Sequence, residues 1–220
     1  MFIQPLKGSI GGPTHMSKEC IITIARQFGS GGREIGEALA KALGVKCYDK
    51  ELISLAAKES GVDPEVFNNV DEKATNSLLY SLSMGLYSFG TGFNADRLPV
   101  NDKLYLLQHK IIKKLALDGP CVIVGRCADY VLRDCKNVVR LFICADMDYR
   151  IKRAVEKKGV KESKAEQVIN KTDKSRANYY NFYSGMKWGD PENYDLSVNR
   201  TKLTLEQAIG VIQGYLKAVE

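Results

Sequence analysis

Between Arg26 and Gly36 the chain reads RQFGSGGREIG, with glycines at 29, 31 and 32 set between a β-branched run, IITIA (Ile21–Ala25), and a helical pattern. Glycines there let successive backbone N–H groups converge on one point, and the amino end of the next helix adds partial positive charge. The chemistry this suits is the binding of an anion such as phosphate. The segment does not match the G-x-x-x-x-G-K-[ST] pattern. With Gly32 as that pattern's last glycine, Arg33 stands for the lysine, Glu34 for the hydroxyl residue and Gln27 for the first glycine; one residue earlier, Gly32 stands for the lysine. A tight glycine turn between strand and helix is the plainer reading of the same residues.

Two further groups could act on an anion. In VIVGRCADYVL a strand ends at Gly125 and Arg126 emerges beyond it, where ligands meet open parallel sheets. Arg126 suits bidentate phosphate contact, and Asp129 could accept from a base or sugar or orient an arginine. The plainer alternative is a surface Arg–Asp pair. The third group is the basic stretch from Arg150 to Lys187, with eleven Lys and Arg against four Asp and Glu. Arg150 and Arg153 share a helix face; Lys171 and Lys174 are neighbours, and Asp173 and Arg176 can pair beside them. A basic arm closing over phosphate would neutralise charge and exclude water; a solvated charged helix is the alternative.

Composition narrows the chemistry. The 220 residues are 45% hydrophobic and 26% charged, with 19 Gly and 6 Pro, which excludes a disordered or low-complexity chain. The net charge of +6 suits anionic partners, and the basic stretch alone carries +7, so the other residues sum to −1. Only His15 and His109 are available, which leaves a His-rich metal centre or a Ser-His-Asp triad almost no material. Six cysteines without a C-x-x-C pair, several inside apolar runs, read as buried thiols in a reducing cytoplasm. Cys127, beside Arg126, is the candidate for a cysteine nucleophile. No apolar run is long enough to span a bilayer. Residues 1–20 lack a secretory h-region and read as a mobile leader or tag.

The elements that must position these residues alternate. Short apolar strands are expected at Ile21–Ala25, residues 45–49, residues 121–125, Val138–Ala145 and Asp195–Asn199. Helices are expected over residues 33–43, 50–60, from Asp102, over Asp148–Lys158, Glu162–Tyr183 and Thr204–Val219, the last with Leu205, Ile209, Ile212, Leu216 and Val219 inward. A capped helix start at Asp63 and Pro64 precedes residues 68–100, which read as a helical insertion and loop. The sum is an α/β domain over 21–220, a five-stranded parallel sheet covered on both faces.

In order along the chain, IARQFGSGGREIGEALAKALG, YDKELI, VIVGRCADYVL, LFICADMDYRIKR and DKSRANYYNFYSGMKWGDPENYDLSVN resemble the cytidylate kinase-like family, a branch of the P-loop nucleoside monophosphate kinases. The resemblance implies a three-layer P-loop NTPase-like fold, with residues 68–100 near the acceptor and 150–190 as a basic helical lid. It implies a cofactor loop at Gly29, Ser30, Gly31, Gly32, Arg33 and Glu34, and acceptor contacts at Asp49, Arg126, Asp129 and Asp173. Arg150, Arg153, Lys174 and Arg176 would clamp phosphate. The family's lid pattern survives only as Asp173 and Arg176, because Ile169 occupies its first arginine position. Arg33 or Lys174 would replace the missing loop lysine, and Glu34 or a water the missing Mg²⁺ ligand. The implied activity is phosphoryl transfer from ATP–Mg²⁺ to CMP or dCMP, with small-molecule nucleotides as partners and the cytoplasm as location. The alternatives are a kinase of another small acceptor, or a nucleotide-binding protein with little catalysis. Nucleic-acid binding is weaker still: Tyr179, Tyr180 and Tyr183 interleave with basic residues, but no helix-turn-helix, zinc or RNA-module signature is present.

Overall fold

The computed structural model describes residues 20–49 and 100–219. Five strands form one sheet: β1 (Ile21–Arg26), β2 (Lys46–Tyr48), β3 (Cys121–Val124), β4 (Val138–Cys144) and β5 (Leu196–Asn199). Every pairing is parallel and the spatial order is β2-β3-β1-β4-β5, which puts β1 at the centre. Helices α1 (Gly32–Leu43), α2 (Val100–Asp118), α3 (Ala128–Val131), α4 (Met147–Lys158), α5 (Glu162–Ser184) and α6 (Leu205–Ala218) connect and cover these strands. The strand expectations hold to within a residue at either end. The leader, the 50–60 helix, the helix start at Asp63 and the 68–100 insertion lie outside the described residues.

The period-two alternation of β1 divides the core. Ile22 and Ile24 point to one face, with Val122, Val124, Leu141 and Ile143, and meet Ile35 and Leu39 of α1 and Ile212 and Leu216 of α6. Ile21 and Ile123 point to the other face, against Ile111 and Ile112 of α2, Val131 of α3 and Leu132 just past it. Helices on both faces are why these strands read as continuous apolar runs. Gly36 lets α1 lie close to the sheet: a Cβ there would stand 2.8 Å from Val124 Cγ2 and 3.3 Å from Ile24 Cδ1.

Some expectations change. Val219 is 54% exposed because α6 ends at Ala218, and Cys135 is exposed in the turn before β4; no disulfide joins any of the six cysteines. Among the tyrosines of α5, Tyr180 is buried, and Tyr179 and Tyr183 are half-buried against α2. Tyr183 stacks on Tyr105 at 4.0 Å and donates to Asp102, and Tyr179 donates to Gln108, so they fasten α5 to α2. Among the described residues no helix is long and apolar enough to cross a membrane.

Arg140 and Asp195 close the β4–β5 edge through a bidentate pair at 2.8 and 3.1 Å, and the Arg140 backbone N–H donates to the same carboxylate. Burial pushes the Asp195 carboxyl up, but its hydrogen bonds to Arg140 and the guanidinium charge outweigh burial and hold it below its ordinary value. Two outcomes follow. Gly36→Ala gains up to about 1 kcal/mol of helix propensity but forces a stiff Val124 aside, an overpacking cost of about 1–3 kcal/mol; its urea midpoint falls. A depressed carboxyl contributes stability above its unfolded value, near 3.8, and loses it as pH falls through the folded value. Asp195→Asn therefore costs about 1–2 kcal/mol at neutral pH. Its stability also declines less steeply than the wild type's below pH 4, as urea melts across pH will show.

Candidate active site

The loop from Gln27 to Gly31 leaves the carboxyl end of the central strand and is pinned there from several sides. The Gln27 N–H donates to Ile143 O, and its side-chain Oε1 accepts the Ala145 N–H, both on the β4 side. Ser30 is buried, and its hydroxyl donates to Gln27 O at 2.9 Å, so the side chain closes the turn and faces away from the cleft. Gly29 and Gly31 hold φ of +80° and +85°, a region costly for any residue with a Cβ. Space demands glycine as well: a Cβ on Gly29 would stand 2.8 Å from Arg150 O, and one on Gly31 would overlap the Arg200 guanidinium. Helix α1 then starts at Gly32, and the first N–H groups of its twelve residues open toward the loop's mouth.

A second backbone constraint lies at the end of β3. Gly125, Arg126 and Cys127 have φ of 83°, 59° and 52°, three consecutive left-handed residues of which two carry side chains. Each non-glycine residue in that region costs about 1–2 kcal/mol, and such strain concentrates at functional sites. Here it turns the chain abruptly and sends Arg126 into the crevice beside the loop. Cys127 is buried, and burial pushes its thiol well above the ordinary value, which speaks against a nucleophile's role.

The crevice is a cleft lined by Gly29, Gly31 and Gly32, by the cations Arg26, Arg33, Arg126, Arg153, Lys157, Lys158 and Arg176, and by Glu34, Glu37 and Asp49, among others. Positive charge dominates it. A smaller pocket adjoins it, lined by Asp129, Tyr179, Tyr180 and Trp188, and Arg26, Arg126 and Arg176 line both.

Carboxylates hold these cations in place. Glu34 Oε2 accepts from Arg153 Nη2 at 2.9 Å and from Arg200 Nη1 at 2.7 Å. Burial raises its carboxyl, but the Arg200 hydrogen bond and the charges of Arg200 and Arg153 outweigh this and hold it below the usual range. Asp49 meets Arg33 Nε at 3.1 Å and Arg26 Nη2 at 3.8 Å, and Arg33 also pairs with Glu37 at 2.9 Å. Asp173 pairs with Arg150, and its other oxygen accepts the Phe28 N–H at 2.7 Å. Asp129 is buried with its Oδ2 unpartnered; burial raises its carboxyl, against a hydrogen bond from Tyr180. Among the described residues no group of three His, Cys, Asp or Glu could hold a metal ion.

The residues singled out in the sequence separate accordingly. Gly29, Gly31, Gly32, Arg33, Glu34, Asp49, Arg126, Arg153 and Arg176 come together in the cleft, and Asp129 lies in the adjoining pocket. Arg150 is buried behind the loop with Asp173, so the helix face it shares with Arg153 is divided between two partners. The expected Asp173–Arg176 pairing gives way to Asp173–Arg150, while Arg176 donates to Arg26 O at 3.2 Å and lies 5.8 Å from the Phe28 ring. Lys174 is exposed and lines neither cavity. Arg26 and Arg200 were missed, and both carried a signal: each is a charged residue at or just past the carboxyl end of a parallel strand. Trp188 was not flagged because nothing in its loop indicates that it packs on Phe142 and faces Asp129's pocket.

Comparison with known proteins bears on the family and the fold. A search of curated proteins returns no match. Among solved structures, an uncharacterized protein from Eubacterium ventriosum is 30% identical, with a TM-score of 0.68 over 91% of this chain and 99% of that one. Shikimate kinase from Bacteroides thetaiotaomicron shares the fold at 14% identity and a TM-score of 0.54, over 90% of this chain and 98% of that one. Shikimate kinase from Acinetobacter baumannii, solved with shikimate, does so at 11% and 0.52, over 93% and 96%. Residues 21–202 match the cytidylate kinase-like family, a span that begins with β1 and runs past β5. On that match over most of its length, this chain belongs to the cytidylate kinase-like family, with the three-layer α/β architecture of P-loop kinases.

Proposed function

We propose that the protein transfers the γ-phosphoryl group of ATP–Mg²⁺ to a nucleoside monophosphate in the cytoplasm, with CMP or dCMP the acceptor that its family suggests. The observation that carries this reading is the shared wall: Arg26, Arg126 and Arg176 line both the glycine-loop cleft and the pocket of Asp129 and Trp188. Phosphoryl transfer asks little covalent chemistry of a protein and much positioning and charge neutralisation, concentrated between donor and acceptor. Three arginines on the boundary of two adjoining cavities supply that.

In this reading the Gly29–Arg33 loop and the start of α1 hold the triphosphate. Arg126 holds the acceptor phosphate, already an anionic nucleophile that needs no strong base. Arg153 and Arg176 offset the charge that spreads as the phosphoryl group moves. Asp129 Oδ2, without a protein partner, accepts a hydrogen bond from the acceptor's base or sugar. Arg150 and Asp173 act from behind the loop by tying α4 and α5 to Phe28, and Lys174 reaches the phosphates only if α5 shifts.

A triphosphate fits this cationic donor set. Mg²⁺ keeps several waters and takes its other ligands from substrate phosphates and one or two carboxylates; Glu34, Glu37 and Asp49 are those lining the cleft. Glu34 already holds two guanidiniums through Oε2, so it serves a metal less well than its place in the sequence suggests. When bound, Mg²⁺ neutralises charge across the β- and γ-phosphates.

One observation favours a second reading, nucleotide binding with little catalysis. Arg33, the residue in the lysine's place, is bonded to Glu37 and Asp49.

A coupled assay across nucleoside monophosphates and other small acceptors, beside calorimetry with ATP, separates these readings. Turnover of CMP or dCMP is expected; ATP binding without turnover of any acceptor selects the second. Arg126→Ala lowers kcat/KM for the accepted substrate by about 10²- to 10³-fold, the range for losing one group that stabilises transition-state charge. Arg126→Lys recovers little of it, because an ammonium cannot form the two-pronged contact. Undiminished activity in Arg126→Ala would remove the central assignment.

A further inference from the structure

The sequence lacks the lysine that places positive charge on a phosphate loop, and the structure holds a charge that nothing has yet used. Arg200 follows the last residue of β5, and its N–H donates to Cys144 O, which extends the β4–β5 ladder by one step. Its side chain runs beneath the glycine loop and is 5% exposed. Nη1 lies 3.4 Å from Gly31 O, and the guanidinium fills the space where a Cβ of Gly31 would stand. The Nε hydrogen, also buried, has no partner.

The charges around it do not balance. Arg200 and Arg153 both pair with Glu34, and they pair with the same oxygen of a carboxylate that is itself 42% exposed. The two guanidiniums share the one carboxylate within ion-pair distance of both; Glu206, whose charge also reaches Arg200, is fully exposed and screened by water, so an excess of positive charge stays fixed behind and beside Gly31. Burying a charge without full compensation is costly.

We propose that Arg200 is the positioning residue that replaces the missing loop lysine, acting from beneath the loop instead of from within it. It supplies fixed positive charge under Gly31 and, through the shared Glu34 carboxylate, anchors Arg153 at the cleft's edge. Gly31 is glycine because a side chain would displace this guanidinium, and Glu34 stands in the hydroxyl residue's place as the bridge between two cations. The inference rests on phosphate groups binding at the glycine loop.

Metal-free tripolyphosphate, titrated by calorimetry into the full chain, tests it without involving a metal ligand or a turnover step. The wild type binds tripolyphosphate. In Arg200→Met affinity falls at least tenfold while the melting temperature holds or rises, because a buried charge has given way to an apolar chain of similar length. Arg200→Lys, which keeps the charge, recovers at least half of the lost affinity on a logarithmic scale. Glu34→Gln moves oppositely: tripolyphosphate binds as tightly or more tightly, since a nearby negative charge is gone, while kcat on the accepted substrate falls as Arg153 loses its anchor. A purely structural Arg200 would instead lower the melting temperature and leave affinity unchanged in the folded fraction. Unchanged affinity in folded Arg200→Met, or weaker binding in Glu34→Gln, overturns the inference alone. A wild type that binds neither tripolyphosphate nor ATP overturns both it and the proposed function. Should Arg200→Met fail to fold, the Arg200→Lys and Glu34→Gln affinities decide the matter by the same signs.

Discussion

Seven guanidinium groups crowd the carboxyl end of one small sheet: Arg26, Arg33, Arg126, Arg150, Arg153, Arg176 and Arg200. Their mutual repulsion is the constraint around which the site is built. Two like charges 4 Å apart repel by about 4 kcal/mol at the effective dielectric of a protein surface, a large fraction of a domain's stability. Carboxylates make the arrangement possible: Glu37 holds Arg33, and three others each join two partners. Glu34 links Arg153 to Arg200, Asp49 links Arg33 to Arg26, and Asp173 links Arg150 to the Phe28 backbone. Because there are fewer carboxylates than cations, the cleft keeps an excess of positive charge, and its arginines are oriented before any ligand arrives.

The backbone does the complementary work. Left-handed glycines at 29 and 31 bring the loop close to Arg150 and Arg200, and three left-handed residues at 125–127 aim Arg126 across from them. Parallel pairing makes these turns meet. Every strand ends on the same side, and with β1 between β3 and β4 the connections from β1 and β3 open into one crevice. The tyrosines of α5, stacked on Tyr105 and bonded to Asp102 and Gln108, then hold the basic helix against that crevice.

Much of this was legible in the residues. The β-branched runs, the helical spacing of Ile35 and Leu39 and the glycine at 44 marked the β1–α1 unit closely, because local sterics and the burial period act over a few residues. The prominence of Arg126 followed from its place after a buried strand. The partner of Asp173 did not follow. Helical spacing favoured Arg176, three residues away, whereas packing of α4 on α5 brought Arg150 to it from 23 residues away. Lys174 and Arg176 look alike as neighbours in a charged run, yet one is exposed and the other reaches Arg26 and Phe28. Periodicity tells which face of a helix a residue occupies and says nothing of what that face meets.

What the sequence by itself determined is the order of strands and helices, the glycine turn between β1 and α1 and the concentration of positive charge in one stretch, all of which rest on composition and short-range geometry. Only the tertiary structure decided how that charge is divided. It buried Arg150 behind the loop, left Arg153 and Arg176 on the cleft, and brought Arg26 and Arg200 from two different strand ends to join them. The physical reason is that a charge's role depends on its distance to other charges and its access to water. Both are set by the lateral order of the strands, in which β1 and β5, far apart along the chain, each lie beside β4.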